Sequence, residues 1–425
     1  MRVGLIGPVP PEIGGATPGG VATHQMHLAE SLAAAGLDVR LLATNSTNTL
    51  AATSTGWQSG TAPLTLYRMC RPTPSLQWLA AVGAAPLARY ALDAVRHSTR
   101  TDGGSRRVAL GHVLWYRRFL ATARPELVHV QHPMERQSYV RQIFRIDRCR
   151  LPLVVTLHSF FGEHPAATIH DVMTPNLQRA DRFIAVSPHI ADQAVELGAD
   201  PARVTVIPSG VDVERFAPRD RLAARRALRS QHALDDPAAP LVLFVGNLEP
   251  RKGVDRLLAA LAMVRQKLPD ARLVVVGTGE SAGADDQTPL LKGLVRDYGL
   301  TSAVDFLGRV SADVLEQWYA AADVFALPSS SEAQGIAALE AMASGLPVVA
   351  SAVGGLLRTI DDTRTGFLVP AGDVARLAAR LTELLDNAEL RRVMGSQARA
   401  AVERDFSWRR AAEATIAVYR EALAA

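Results

Sequence analysis

Lysine is almost absent from this chain of 425 residues. It occurs only at 252, 267 and 292, and the rest of the positive charge is arginine. Cysteine is nearly missing too. Cys70 and Cys149 stand alone, without the paired spacing of a metal site. Reduced thiols of a cytosolic protein are the simpler expectation, with a structural disulfide between the two as the less favoured alternative. Excess charge of one sign is also lacking. A net charge of +4 makes no case for a dedicated nucleic-acid binder. No apolar run approaches the ~20 residues that span a bilayer. The opening Met1-Arg-Val-Gly-Leu-Ile-Gly7 reads as a first strand rather than a secretory leader. The expectation is a cytoplasmic protein, with peripheral contact at the inner face of a membrane as the open alternative.

What is present is an ordinary globular composition, 48% hydrophobic with 31 Gly and 25 Pro, in a chain too long for one core. Short runs rich in Val, Ile and Leu recur, separated by helical stretches. The first half offers Val3–Gly7, Val39–Ala43, Thr65–Met69, Leu127–Gln131, Leu153–His158, Phe183–Ser187 and Val204–Pro208. The second offers Leu241–Gly246, Leu273–Gly277, Val304–Gly308, Val324–Leu327, Val348–Ser351 and Phe367–Pro370. Runs without period-two alternation, spaced by helices, mark parallel strands covered on both faces. The pattern restarts at Leu241 after the polar segment Asp212–Pro240. The fold class is therefore α/β, with two doubly wound, Rossmann-like domains. Their boundaries are expected at 1–208 and 212–404, followed by a last amphipathic helix in 405–425. Between Ser75 and Arg124 lies a stretch rich in Arg and aromatics (Trp78, Tyr90, Trp115, Tyr116, Phe119). An outer helix pair with its aromatics packed inward is the favoured reading there, against a membrane or acidic-acceptor surface.

The most informative segment is Pro328-Ser-Ser-Ser-Glu-Ala-Gln-Gly-Ile-Ala-Ala-Leu-Glu-Ala-Met-Ala-Ser-Gly-Leu-Pro-Val-Val-Ala-Ser351. It closes a strand, holds Glu332 in a polar loop and starts a helix near Gly335 that carries Glu340. A strand, a loop acid and a helix N-terminus together make a site for an anionic ligand. Helical geometry across eight residues separates the two acids by roughly 12 Å, too far for a shared proton. The two acids taken alone also suit an ordinary βα unit. Other motifs sit at the same kind of strand end. Pro18-Gly19-Gly20 precedes a helix, where glycine lets the backbone approach a phosphate. Leu153-Val-Val-Thr-Leu-His158 ends a buried strand, and Val128-His129-Val-Gln-His132 ends the one before it. Val245-Gly-Asn-Leu-Glu-Pro-Arg-Lys-Gly253 carries adjacent cations at Arg251 and Lys252. No His-x-Glu metal pattern accompanies them.

The string Pro328–Ser351 closely resembles the Glu-x7-Glu signature of retaining glycosyltransferases with two facing Rossmann-like domains (the GT-B type, group 1 or family 4). Sucrose synthases and phosphatidylinositol mannosyltransferases are members. The resemblance runs from about Val3 to Ala424 and thins between Thr44 and Arg124. It implies a metal-independent, cofactor-free transferase that moves a hexosyl-type sugar from a UDP- or GDP-linked donor to a hydroxyl of a small-molecule, lipid or glycan acceptor. The domains would face each other across a cleft, the first taking the acceptor and the second the donor, with the last helix packing back on the first. Glu332 would orient the transferred sugar, His158 would contact it, and Glu340 would hold the ribose. Arg251, Lys252 and Gly20 would neutralise the diphosphate, assisted by the backbone of Gly335 and Ile336. Arg309 and Val310 would flank the base. On the acceptor side stand His129, His132, Glu163 and His164.

Four departures accompany the resemblance. Asn247 stands where the family has Arg, with Arg251 as a candidate replacement. Gln334 stands where Phe is usual and offers the donor an amide. Arg358 replaces an acid in Val353-Gly-Gly-Leu-Leu-Arg358, and Ser209 replaces Asn in Val206-Ile-Pro-Ser-Gly-Val-Asp212. Two other classes stay open: a sugar-nucleotide epimerase of similar architecture, and a non-catalytic partner subunit.

Overall fold

A computed structural model describes residues 1–9, 20–44, 55–59, 62–68, 116, 119–131, 151–159, 180–229, 238–279 and 287–425. The chain divides into two compact units. Met1–Pro208 with Trp408–Ala425 form the first, and Ser209–Ser407 the second.

The first unit is built on an eight-stranded sheet. Its strands are β1 (Arg2–Gly7), β2 (Asp38–Ala43), β3 (Thr55–Ser59), β4 (Ala62–Arg68), β5 (Leu127–Gln131), β6 (Leu153–Leu157), β7 (Arg182–Ala185) and β8 (Val204–Val206). They lie in the order β3-β4-β2-β1-β5-β6-β7-β8. All neighbours are parallel except β3, which pairs antiparallel with β4, Thr55 opposite Leu66. β4 overlaps the expected run Thr65–Met69, whereas β3 was not expected from the sequence. It falls in the stretch where the resemblance thins. β8 is also shorter than its apolar run, because Pro208 has no N–H to continue a ladder. Helices α1 (Gly20–Ala34) and α2 (Pro188–Glu196) belong to this unit.

The second unit has helices α3 (Arg221–Arg229), α4 (Val254–Val264), α5 (Thr288–Asp297), α6 (Ala312–Ala321), α7 (Ile336–Ala343), α8 (Leu356–Thr359), α9 (Val374–Asp386) and α10 (Ala388–Asp405). Between them run β9 (Leu241–Val245), β10 (Arg272–Val276), β11 (Val304–Gly308), β12 (Val324–Leu327), β13 (Val348–Ser351) and β14 (Gly366–Val369). This sheet is wholly parallel, in the order β11-β10-β9-β12-β13-β14. Its strands are apolar along their length because helices cover both faces. Val242, Leu243, Phe244, Val274, Phe325 and Val349 are all fully buried.

The final helix, α11 (Trp408–Ala424), belongs to the first unit, where it packs against α1. Its buried face, Ala411, Ala412, Val418, Tyr419 and Ala422, joins one core with Leu28, Leu32, Leu41 and Val154. Most of Ser75–Arg124 lies outside the described residues. Within it, Tyr116 and Phe119 are buried. Among the described residues no helix is long and apolar enough to cross a membrane.

In each doubly wound sheet the strand order reverses once, and ligands bind outside the carboxyl ends of the strands at that point. In the second unit the reversal lies between β9 and β12. The loops that leave those strands are Gly246–Gly253 and Pro328–Gly335, the two motifs that stood out in the sequence.

Candidate functional site

The loop after β9 tightens into a short 3₁₀ turn, Pro250–Lys252, and passes through Gly253 into α4. Gly253 sits at φ 72°, and a Cβ there would lie 2.3 Å from the backbone oxygen of Pro328. The close approach brings the two loops together, and Ser330 N donates to Arg251 O at 2.7 Å. We therefore expect Gly253→Ala to cost more than about 1 kcal/mol of stability, from left-handed strain plus the clash. It should also impair ligand binding, because the atom it displaces belongs to the loop of Glu332. Chemical unfolding checks the first, and titration with nucleoside diphosphates the second.

Lys252 and Glu332 meet across these loops. Lys252 Nζ lies 2.5 Å from Glu332 Oε1, which also accepts from Ser329 Oγ at 2.9 Å. Glu332 is buried, at 6% exposed. Its backbone is held as well, since Gly355 N donates to Glu332 O at 2.9 Å. A buried carboxylate locked to one of only three lysines is a costly arrangement unless each charge answers the other.

Glu340 is handled differently. Three residues separate Glu332 from the first residue of α7, so Glu332 is a loop residue and Glu340 a helical one. Glu340 Oε2 accepts from Tyr319 Oη, on α6, at 2.7 Å. Burial, and then the Glu340 charge, push the Tyr319 hydroxyl well above the usual tyrosine range, so it remains a donor. Sequence reading missed Tyr319. Its only signal was a polar-tipped aromatic on an otherwise apolar helix face.

Gly335 caps α7 at φ 87°, where a Cβ would meet Leu356 Cδ2 at 2.5 Å. Gly335 and Ile336 thus open the helix beside Glu332, and helix N-termini favour anions. Arg309 and Val310 follow β11, the first exposed and the second packed in part against the core.

Two expectations are corrected. Gln334 does not offer its amide to a ligand. Its Oε1 accepts from Ser209 N, and its Nε2 donates to Ser209 O, both at 2.9 Å, with the two residues 4% and 2% exposed. The amide acts as a surrogate peptide for the first residue of the second unit. Arg251 does not supply an uncommitted second cation: its Nε lies 2.7 Å from Glu249 Oε2. Asn247 Nδ2 donates to the other oxygen of the same carboxylate at 3.2 Å. The loop thus spends its extra charge internally.

In the first unit, Gly20 is exposed at the start of α1, with open space where a Cβ would stand. His158 follows β6 directly and is half-buried, its Nε2 2.8 Å from Gln131 Oε1. His24, on α1, meets its ring edge-on at 4.5 Å. His129 is corrected as an acceptor-side residue. It is 0% exposed, with ring nitrogens 2.7 Å from Tyr419 Oη and from Thr156 Oγ1. Burial, and then neighbouring His24, hold it down at about 3, so it is neutral and has no face for a ligand. His132, Glu163 and His164 lie outside the described residues.

The family model described as glycosyl transferases group 1 matches residues 225–401, and that of glycosyltransferase family 4 matches residues 18–215. The chain is 37% identical over 289 residues to the D-inositol 3-phosphate glycosyltransferase of Nocardia farcinica, covering 65% of this chain and 63% of that protein. The chain thus spans less than two thirds of that relative's length. It is 38% identical over 290 residues to the protein of the same name from Actinosynnema mirum, covering 65% of this chain and 68% of the other. Among solved structures, sucrose-phosphate synthase from Thermosynechococcus elongatus superposes with a TM-score of 0.78 at 25% identity, covering 100% of this chain and 99% of the other. The Anabaena protein HepE, solved in complex with UDP and glucose, shares the fold at a TM-score of 0.71 and 22% identity, covering 99% and 100%.

Proposed function

The chain belongs to the group 1 and family 4 glycosyltransferases of GT-B type, and from that premise we propose that it is a retaining hexosyltransferase using a nucleotide-diphosphate sugar. The observation that carries this reading is the meeting of Lys252 and Glu332 at the switch point of the second sheet. One cation and one buried acid, placed beside a helix N-terminus, match a ligand that carries both phosphates and hydroxyls.

Lys252 takes the diphosphate when donor binds, and Glu332, released from it, accepts hydrogen bonds from the transferred sugar. The N–H groups at Gly335 and Ile336 and the start of α1 at Gly20 add positive potential as charge grows on the departing diphosphate. Glu340, steadied by Tyr319, receives the ribose hydroxyls. Arg309 and Val310 flank the base, and His158 is assigned to the transferred sugar. Attack by the acceptor hydroxyl on the face the leaving group vacates retains the anomeric configuration. The diphosphate is met by Lys252 and these helix N-termini, without a metal ion. The relatives' name makes D-inositol 3-phosphate the first acceptor to try.

The test has two stages. UDP, GDP and their hexose conjugates are screened by thermal shift, where a ligand at 100 times its Kd adds ~2.7 kcal/mol. The donor selected is then incubated with D-inositol 3-phosphate in the presence of EDTA, and the product anomer is read by NMR. Transfer with the donor's anomeric configuration is expected. No shift with any conjugate removes the reading, and an inverted product removes retention.

A further inference from the structure

The loop that carries Glu332 is held from several directions. Lys252 Nζ and Ser329 Oγ both engage Glu332 Oε1, so among the described residues Oε2 has no hydrogen-bond partner and is the oxygen left for a ligand. Behind the carboxylate, α8 holds the backbone. Gly355 N donates to Glu332 O at 2.9 Å, and Thr359 Oγ1 lies 3.0 Å from Gln334 O. A Cβ on Gly355 would stand 2.0 Å from Ala333 O, so the two backbones are in direct contact. The remaining hold is a side chain. Gln334 sits between Glu332 and the helix-opening Gly335, and its amide closes a ring on Ser209, 125 residues earlier.

The sense of that ring is forced. Ser209 N can only donate and Ser209 O can only accept, so the amide oxygen must face the first and the amide nitrogen the second, both at 2.9 Å. With both residues buried, solvent cannot replace either bond. The anchor is firm as well. Ser209 is the first residue of the second unit. Two residues on, Val211 N donates to Phe406 O at 2.8 Å, and Val211 pairs with Ser407, the last residue of that unit, in a parallel bridge. The segments that begin and end the second unit are thus bonded to each other, and Gln334 ties the loop of Glu332 to them.

We propose that Gln334 is a positioning residue: by tethering the loop to Ser209, it keeps Glu332 Oε2 and the N–H groups at the start of α7 in one geometry toward a nucleotide sugar. This rests on the assignment of Glu332 to the transferred sugar. An apolar side chain of the same size would fill the space but leave Ser209 N and O buried without the amide, a cost that the loop relieves only by moving. A displacement of about 1 Å at a group that orients substrate costs on the order of a hundredfold in rate. The bonds go to backbone atoms, so the side chain at 209 is immaterial to them, whereas the amide at 334 is essential.

The tether is tested on the full chain with Gln334→Met, which keeps the volume and removes both bonds, and with Gln334→Glu. A protonated carboxyl has one O–H and one acceptor oxygen and can repeat both bonds, whereas the ionised form only accepts and faces Ser209 O with like charge. Burial raises the pKa of such a carboxyl, so the two forms are compared from about pH 5 to about pH 8, each variant against the wild type at the same pH. Amide hydrogen exchange read by mass spectrometry should show residues 206–212 and 329–338 less protected in Gln334→Met. Its kcat for hydrolysis of UDP-glucose, or of the UDP- or GDP-hexose selected above, should fall tenfold to roughly a hundredfold. In Gln334→Glu both properties should return toward the wild type as pH falls and be lost as it rises, a profile that a residue filling space does not give. Exchange unchanged in both variants overturns the tether. Exchange that responds while kcat holds overturns the positioning of Glu332. A pH profile of Gln334→Glu parallel to that of the wild type overturns the two-bond account, even where Gln334→Met fails to fold. A wild type that turns over no nucleotide sugar fails the proposed function instead, and exchange alone then decides the tether.

Discussion

Lys252→Ala is expected to reduce donor turnover at least about a hundredfold, and Glu332→Ala by a similar factor, both in folded protein. The reasons differ, and the binding data should separate them. Among the described residues, Lys252 is the cation placed against Glu332, 2.5 Å away. Removing it takes away the charge-assisted bond to the departing diphosphate and leaves a carboxylate that is 6% exposed without its cation. Affinity for nucleoside diphosphate should therefore fall together with turnover. Glu332→Ala removes the group that competes with the diphosphate for Lys252. Binding of the nucleoside diphosphate should hold or tighten while turnover collapses, because the sugar loses its acceptor for hydrogen bonds. Calorimetric titration beside steady-state kinetics reads both. The double variant should lose less stability than the sum of the two single ones, as residues in direct contact are not additive. Near wild-type turnover in either single variant would remove the site assignment.

Asp323→Ala is expected to be the most destabilising of the substitutions considered, at about 3–5 kcal/mol. Asp323 stands just before β12, at the opposite end of the strand from Glu332. Its Oδ2 accepts from Arg225 Nη2 at 2.7 Å and from Leu241 N at 2.9 Å. Arg221 reaches its Oδ1, and Arg391 lies 3.7 Å from the same oxygen. Arg225 is 3% exposed and its other donors already go to Ala321 O and Ala239 O. Without Asp323 the buried Arg225 loses the carboxylate it shares with Arg221 and Arg391, and Leu241 N loses its partner where β9 begins. The exposed pair Glu389–Arg392 makes the contrast. Its charges are met by water in either state, so breaking it should change nothing measurable. Urea unfolding of the two variants side by side checks the claim. Nucleotide binding by Asp323→Ala below its melting temperature should survive, since the cluster sits at the amino ends of the strands. Equal stability of Asp323→Ala and the wild type would sink the argument.

Strand positions were legible because parallel strands buried on both faces must be apolar along their length, and no other element produces such runs so regularly. The edge strand Thr55–Ser59 was not legible, since an edge needs only one neighbour and imposes little on its sequence. At the candidate site, Glu332 and Lys252 stood out, one by its place in a long motif and the other by the scarcity of lysine. Tyr319 did not, because its part depends on a contact between helices 21 residues apart. Gln334 was read toward a ligand because it stands where the resembling family has Phe and carries an amide instead. The structure turns it to Ser209, 125 residues away, where both ends of the amide find backbone partners.

By itself, the sequence determined the α/β class, the two doubly wound sheets and the loops in which charged groups could gather, since these follow from periodicity, glycine placement and residue type. Only the tertiary structure decided how each of those groups is used. It set Lys252 against Glu332, paired Arg251 with Glu249, and buried His129 between Tyr419 and Thr156. Hydrogen bonds and ion pairs depend on distances of a few tenths of an ångström between residues far apart in the chain, and no local pattern encodes such distances.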